Sequence, residues 1–329
     1  MNKNKGLGRL KGFEILLVFI IIFIGFSIFA PNFLRIKNFF NIARQIATLG
    51  IASVGMAFPL ILGGIDLSVG YQISMVNVVC AWLMVNAKVP PFLAALIALL
   101  MGTLIGALNG ILIVKTGVAP MIITLGVMNI LNGHSYTITG GLPIFGFPES
   151  FKVIGQGTIF GRVPISLIIM IIIFVMGWFI LSKTYFGRYF YAVGNNEESA
   201  RLSGINTGAI KLLAHTLCGF LAAIGGLVLL SRTNSGQSSS GSTYVFDIVT
   251  ACVLGGVSIQ GGKGGMYNVV IGVLIIGTLK NGLVLLSASE YTQLMINGAL
   301  MLVAVIYDTL STKRSEEVKK LLAINKENV

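Results

Sequence analysis

Asp66 is the residue of this chain whose type and surroundings most strongly indicate chemistry. It lies between two apolar runs, in a short segment that also contains Gly63, Gly64 and Ser68. An ionisable side chain in apolar surroundings is a functional candidate, because an unpaired charge is costly away from water. Asp66 is also well placed to cap the following helix, by accepting hydrogen bonds from the backbone N–H groups of Ser68 or Val69. A gating or substrate role and a capping role therefore both stay open.

Four further polar residues lie inside apolar runs. Asp247 and Lys280 are charged, so each needs a partner or a wet cavity, and Lys280 can also extend its charge to an interface. Asn109 and Asn281 suit a neutral, hydroxyl-rich solute, because they form hydrogen bonds without burying a charge. Hydrogen bonding between helices is the alternative for the asparagines. With the Asp66 segment, Asp247 and the two asparagines are candidates for a gating or substrate path.

The sequence predicts no catalytic residue, no metal site and no cofactor. His134 and His215 stand alone in the sequence, without carboxylates or thiols at metal-ligand spacing. The glycine-rich segment 261–264 fails as a phosphate-binding loop, because Val257 occupies the first glycine position and Gly264 replaces the Ser or Thr that would hold magnesium. A triad and paired carboxylates are also missing from the sequence, which argues against an enzyme.

The elements that carry these residues are predicted to be membrane-spanning helices. Hydrophobic residues make up 55% of the chain and charged residues 10%, against about 25% charged in a typical soluble domain. Apolar runs of about 20 residues recur, long enough to cross a hydrocarbon core of about 30 Å as helices. The alternation typical of outer-membrane strands is missing from the sequence. The predicted fold class is an all-α polytopic membrane protein.

The distribution of positive charge predicts the topology. The net charge is +12, and lysine and arginine cluster at the ends of apolar runs and near both termini. This pattern fits the positive-inside bias and not a nucleic-acid partner, and it places both termini in the cytoplasm. Arg35, Lys37 and Arg44 are an exception on the outer side, and neighbouring phenylalanines predict an amphipathic segment on the outer surface there.

We expect one transmembrane domain over residues 1–329, with about ten helices. The predicted spans are 13–30, 42–62, 69–85, 92–114, 118–139, 164–181, 212–230, 244–259, 266–286 and 293–307. A polar loop at 182–210 and a tail at 311–329 then lie in the cytoplasm.

An internal similarity predicts inverted five-helix repeats. Residues 102–110 and 272–282 share glycines and an Asn-Gly pair, and five spans separate them, so they cross in opposite directions. Chance recurrence of small residues is the alternative. Gly102, Gly106 and Gly110 form a small-residue stripe at four-residue spacing, which predicts close helix packing, with a lining of the substrate path as the other interpretation.

The polar loop at 182–210 is the most densely patterned segment of the chain. Asn195 or Asn196 can cap a short helix, the following glutamates favour its first turn, and Gly204 ends it. Such a helix is marginal alone in water, and docking into the groove of a partner protein would stabilise it. A solvated connector is the alternative.

Several segments of the chain, taken together, resemble the permease subunit of a bacterial ribose-type simple-sugar ABC importer. The segments that carry this resemblance are 63–70, 187–206, 253–256, 261–264 and 281–283. The resemblance implies a ten-span subunit of the bacterial cytoplasmic membrane that pairs with a second permease copy, identical or a paralogue. It also implies an ABC ATPase subunit, which hydrolyses ATP, and an extracellular or periplasmic solute-binding protein.

The resemblance implies that the 182–210 loop couples the chain to the ATPase. The residues that would form or support this contact are Gly187, Arg188, Glu197, Glu198, Ala200, Arg201, Leu202 and Gly204. Gly63, Gly64, Asp66 and Ser68 would be structural or gating elements.

Some positions depart from the family pattern and leave the solute undetermined. Val245 and Phe246 replace a usual Glu-Leu, Asn132 replaces an Arg, and Lys280 stands where Asn is common. The alternative function is a secondary transporter that acts alone and is driven by an ion gradient. It would require embedded acids for coupling, for which Asp66 and Asp247 are the candidates.

Overall fold

Helices make up most of the protein in this computed structural model, which describes the backbone of residues 4–327 and the side chains of residues 15–310. Within that range the helices are α1 (Asn4–Phe29), α2 (Ile36–Ile61), α3 (Val69–Val85), α4 (Pro91–Thr116), α5 (Pro120–Thr139), α6 (Glu149–Gln156), α7 (Ile165–Lys183), α8 (Tyr185–Asn195), α9 (Glu197–Leu202), α10 (Thr207–Thr233), α11 (Tyr244–Gly255), α12 (Met266–Leu285) and α13 (Glu290–Glu327). Strands β1 (Thr158–Ile159) and β2 (Val163–Pro164) form a short antiparallel hairpin.

Each predicted span overlaps one helix, and the span 69–85 coincides with α3. Among the described residues, six helices are long and apolar enough to cross a membrane: α2, α4, α7, α10, α12 and the 290–310 part of α13. Shorter apolar helices lie at Ile15–Phe29, α3 and α11. The predicted class, an all-helical polytopic membrane protein, is confirmed in this coarse form. The number of ten crossings and the inverted repeat stay predictions.

The centre of the bundle is formed by α2 and α10. Most of α2 is buried, and α10 packs against α2, α3 and α4. A Cβ atom added at Gly106 of α4 would lie 2.4 Å from the carbonyl oxygen of His215 in α10 and 2.9 Å from Cα of Gly219. Gly102 and Gly110 face the same helix. Because only hydrogen occupies these positions, the backbones of α4 and α10 touch.

The start of α2 differs from the sequence prediction. The helix runs without a break from Ile36 past Arg44, and Phe33 just before it is 1% exposed. The ring of Phe33 packs edge-on against Phe23 of α1, with 5.4 Å between the ring centroids. The expected amphipathic segment is therefore continuous with α2. Phe33 is buried against α1, whereas Ile36, Lys37 and Phe39 are exposed, and the position of the segment on the outer surface stays a prediction.

The segment between α5 and α7 folds onto the end of α10. Phe151 of α6 is 2% exposed and packs edge-on against Phe147. The hydroxyl of Ser231 in α10 accepts a hydrogen bond from the backbone N–H of Gly155 and donates one to the carbonyl of Phe151, each at 2.7 Å. Sequence patterns did not reveal α6, because tertiary contacts stabilise this eight-residue helix.

Candidate functional site

Asp66 lies at the centre of a fully buried network of hydrogen bonds. Its Oδ1 atom accepts bonds from the backbone N–H of Ser68 at 3.0 Å and from the Ser68 hydroxyl at 2.5 Å. Its Oδ2 atom accepts a bond from Nδ2 of Asn109 at 3.3 Å and lies 3.1 Å from Nδ1 of His215. The Ser68 hydroxyl also accepts bonds from Asn109 and from Gln72, at 2.9 Å and 2.7 Å. We call these five residues the Asp66 network.

The loop before α3 positions Asp66. Gly63 has φ +80°, a left-handed conformation that costs glycine little, and it turns the chain after α2. Further along, the backbone N–H of Leu67 donates to the hydroxyl of Thr124 in α5 at 3.0 Å. The helix α3 then begins at Val69, so the bond from the N–H of Ser68 to Asp66 lies just ahead of its first turn. The loop is therefore held at both ends.

The expectation that His215 stands alone was wrong. His215 is 2% exposed, and its ring lies against a carboxylate 149 residues away in the sequence. Because α4 and α10 touch through glycines, His215 of α10 reaches the same point as Asn109 of α4. Gln72 was missed as well, although its position four residues after Ser68 on one helix face is a signal that could have revealed it. Within the described side chains, no group of three or more metal-ligating residues occurs.

A second polar site is a cavity of about 470 Å³ at the opposite end of α2. Arg44, Arg232, Tyr244, Asp247, Lys280 and Gln293 belong to its lining, and we call it the Arg44 cavity. Asp247 is 3% exposed, forms an ion pair with Lys280, and accepts a hydrogen bond from Nδ2 of Asn297 at 3.1 Å. Arg44 lies 17 residues before the last residue of α2, Ile61, which corresponds to about 25 Å along the helix.

The structure separates the predicted path residues into three places. Asp66, Ser68 and Asn109 belong to the Asp66 network, Gly63 and Gly64 lie in the loop that leads into it, and Asp247 belongs to the Arg44 cavity. Asn281 lies in neither, because its side chain exchanges two hydrogen bonds with the amide of Asn38, at 2.8 Å and 3.1 Å. Asn109 and Asn281 occupy corresponding positions in the two similar segments, 102–110 and 272–282, but their hydrogen-bond partners differ.

The 182–210 segment contains two helices, α8 and α9. Asn196 caps α9, since its side chain accepts a hydrogen bond from the N–H of Ser199 at 2.8 Å, and Gly204 follows with φ +83°. The carboxylate of Glu198 lies 2.7 Å from Arg201 and raises the pKa of this exposed guanidinium. Glu197 pairs with Lys211 of α10 at 2.6 Å.

Only part of the predicted coupling set is exposed. Leu202 is 79% exposed, whereas Ala200 is 4% exposed and packs into the main apolar core, which reduces the expected apolar surface to Leu202. Arg188 is exposed, and Gly187 is buried where α8 turns back onto the end of α7.

The helix α8 lies directly against the end of α2. A Cβ atom added at Gly194 would be 1.9 Å from the carbonyl oxygen of Ile61. The same carbonyl accepts a hydrogen bond from the N–H of Gly262 at 2.8 Å, and the hydroxyl of Tyr191 donates to the carbonyl of Gly264 at 2.8 Å. Burial also raises the pKa of Tyr191, which keeps its hydroxyl protonated as a donor. Thus α8 joins the 258–264 loop to the residues that lead into the Asp66 network.

Comparison with known proteins decides the family. The model of the family described as the branched-chain amino acid transport system permease component matches residues 38–305. The chain belongs to this permease family. The ribose import permease protein of Haemophilus influenzae is 41% identical over 293 residues, covering 88% of this chain and 90% of that protein. The ribose import permease protein of Bacillus subtilis is 40% identical over 304 residues, 92% of each chain.

The permease has a further relative in Escherichia coli, the L-arabinose transport system permease protein, 36% identical over 306 residues and 93% of each chain. No solved structure matches the chain. These relationships confirm the predicted resemblance to permeases of ribose-type ABC importers, and they favour an importer subunit over a transporter driven by an ion gradient. The permease is a multi-pass membrane protein.

Proposed function

We propose that the chain is the transmembrane permease subunit of an ATP-driven importer, which moves a simple sugar or a related small hydroxylated solute across the bacterial cytoplasmic membrane. The observation that carries this proposal is 36–41% identity to ribose and L-arabinose permeases over about nine-tenths of the chain. In this function the chain supplies the path, and ATP hydrolysis takes place on a separate ABC ATPase subunit. A solute-binding protein on the outer side delivers the solute.

The proposed arrangement has ten spans in two inverted five-helix repeats, with both termini in the cytoplasm. One helix for every predicted span supports the count, and the shared Asn-Gly pairs support the repeat. In this arrangement residues 1–329 form one transmembrane domain that contacts lipid and pairs with a second permease copy. The cytoplasmic tail at 311–329 lies outside the described side chains.

We propose that α9 is the contact with the ATPase. Glu198, Arg201 and Leu202 are exposed on one short helix, so they can meet a groove on a partner without unfolding the permease. Behind them, α8 supports the contact and packs on Ile61. A shift of α9 would thereby reach the loop with Gly63, Gly64 and Asp66, for which we propose a gating role.

The proposal is tested by purifying the tagged permease from its native membrane in mild detergent, and by identifying co-purifying proteins by mass spectrometry. We expect an ATPase with a phosphate-binding loop, and we expect its loss with Glu198→Arg and with Arg201→Glu. Glu149→Arg is the matched control, since the exposed side chain of Glu149 pairs with Lys152 at the same i,i+3 spacing, at the start of α6 and away from α9. A chain that purifies alone and still supports solute uptake in ion-loaded liposomes would contradict the proposal.

A further inference from the structure

The Arg44 cavity contains more positive than negative charge. Arg44, Arg232 and Lys280 line it, and Asp247 is the carboxylate among its lining residues. Asp247 is already paired with Lys280. Among the described side chains, neither guanidinium lies within 4.0 Å of a carboxylate oxygen. The two guanidiniums of this cavity therefore have no counter-charge among the described side chains.

The fold holds these two arginines close together. One terminal nitrogen of Arg232 donates to the backbone carbonyl of Arg44, and the other donates to the hydroxyl of Tyr244, both at 3.4 Å. The Nε atom of Arg44 is buried and has no hydrogen-bond partner among the described residues. Because both residues are only partly exposed, water screens their repulsion less than at an open surface. Such a pair is costly unless an anion completes it.

Arginine also has the right geometry for one class of ligand. The planar guanidinium presents paired N–H donors that match the oxygens of a phosphate or a carboxylate. A cavity of about 470 Å³ lies within the range of about 300–1,000 Å³ found for small-molecule sites. The neutral amides of Asn41, Gln45 and Gln293 on the same lining can donate to and accept from hydroxyl groups.

We propose that the Arg44 cavity binds an anionic group on the solute, so that the transported molecule is a hydroxylated compound bearing a phosphate or a carboxylate. This inference rests on the proposed transport function and narrows its substrate class. Arg44 and Arg232 bind the anionic oxygens, and the Lys280–Asp247 pair lies beside them. A neutral sugar would leave both guanidiniums without a counter-charge and would bind more weakly.

Binding is measured as a shift in the melting temperature of the purified permease, in nanodiscs of phosphatidylcholine, since a ligand of the folded state raises that temperature with concentration. The probes are ribose 5-phosphate, ribonate and ribose. We expect a concentration-dependent rise with ribose 5-phosphate or ribonate and a smaller one with ribose. Whichever anion shifts the temperature more identifies the preferred group.

Arg44→Gln and Arg232→Gln should each weaken binding of the preferred anion by about tenfold or more, as expected for a lost charge-assisted hydrogen bond. Arg35→Gln is the matched control, because Arg35 is exposed at the start of the same helix and does not line the cavity. Arg44→Lys keeps the charge and controls for folding, so it should retain part of the affinity. Equal binding of ribose and both anions, or unchanged affinity in both glutamine variants, would overturn the inference.

Anionic lipid is the other source of the same chemistry. In nanodiscs that contain phosphatidylglycerol, a lipid-binding site would stabilise the wild type over Arg44→Gln, while neither sugar anion adds a shift in phosphatidylcholine. That result would overturn the solute assignment. Uptake by cells that express the whole importer separates the two proposals. If ribose uptake depends on the ATPase and neither anion competes with it, this inference is overturned and the proposed function stands. If solute uptake does not depend on an ATPase, the proposed function itself is overturned.

Discussion

The Asp66 network and the Arg44 cavity both place charged groups within an apolar bundle, but they compensate the charge differently. In the network, one carboxylate receives hydrogen bonds from a hydroxyl, a backbone N–H and an amide and lies against an imidazole, all of them buried. In the cavity, two guanidiniums lie near one carboxylate that already has a lysine. The protein itself supplies the partners of the carboxylate in the first site, where the amide oxygens of Asn109 and Gln72 have no hydrogen-bond partner among the described residues. It leaves the charge of the second site to be completed by a ligand.

This difference assigns a structural role to the Asp66 network and a ligand-binding role to the Arg44 cavity. A buried carboxylate that accepts hydrogen bonds from several elements fixes one arrangement of those elements, because any shift breaks several bonds together. A cavity with uncompensated charge gains most when something of opposite charge enters. We therefore expect changes in the network to alter folding and changes in the cavity to alter binding.

The largest effect is expected for Asp66→Ala. This change leaves the buried His215, Ser68 and Asn109 without their common acceptor, and removing one partner from a buried pair typically costs about 3–5 kcal/mol. Thermal unfolding in detergent, followed by size-exclusion chromatography, measures it. Asp66→Asn keeps the shape and should cost less. A loss below about 1 kcal/mol for Asp66→Ala would show that the network is not a support.

Adding one methyl group tests the backbone contact beside the network. Gly106→Ala would press a Cβ onto the backbone of α10, and we expect it to cost about 1–3 kcal/mol, as for other overpacked sites. Gly277→Ala, at the Arg44 cavity, would meet the Cγ2 methyl of Ile46 at 2.0 Å. Because a side chain next to a cavity can yield, we expect a smaller loss there. Equal losses would mean that the two regions are packed alike.

Lys280→Gln tests the one ion pair of the cavity. It leaves Asp247, which is 3% exposed, with only the hydrogen bond from Asn297, and a buried carboxylate without its cation should cost about 1–2 kcal/mol. Asp247→Asn combined with Lys280→Gln should recover most of that loss, and a double-mutant cycle measures the coupling between the two side chains. If the double variant is no more stable than Lys280→Gln, the pair contributes nothing to stability.

The smallest effect on stability is expected from single cysteine substitutions, which compare how accessible the two sites are to a thiol reagent in water. Cys80, Cys218 and Cys252 are buried, so background labelling should be low. Gln45→Cys, at the exposed lining of the cavity, should react with a membrane-impermeant thiol reagent added outside cells. Ser68→Cys should not, because Ser68 is 0% exposed. Labelling only from the cytoplasmic side would reverse the proposed orientation.

Much of the fold could be predicted from the sequence, because long apolar runs have few alternatives in a membrane. The bounds of α3 and the N-cap of α9, Asn195 or Asn196, were predicted from local signals in the sequence, namely an apolar run and a capping asparagine. The helices α6 and α8 were not predicted, since their apolar residues face particular tertiary partners, such as Phe151 with Phe147.

The candidate sites could be predicted only in part. Asp66 was evident from its surroundings, but its partner His215 was not, because no periodic signal links residues 149 positions apart. Arg44 looked like an exception to the charge rule on the outer side. Its position in the cavity, beside Arg232, depends on how α2 and α10 are rotated, which apolar patterning does not determine.

Gly194 has a consequence for chimaeric permeases in which the 182–210 segment is exchanged with that of a relative. Even an alanine methyl at this position would overlap the carbonyl oxygen of Ile61. A transplanted segment must therefore have glycine there for α8 to pack against the end of α2. The exposed side chains of α9 have no such restriction. If α9 contacts the ATPase as proposed, its exposed residues can be exchanged to fit another ATPase subunit, whereas α8 must keep the residues that pack against its own bundle.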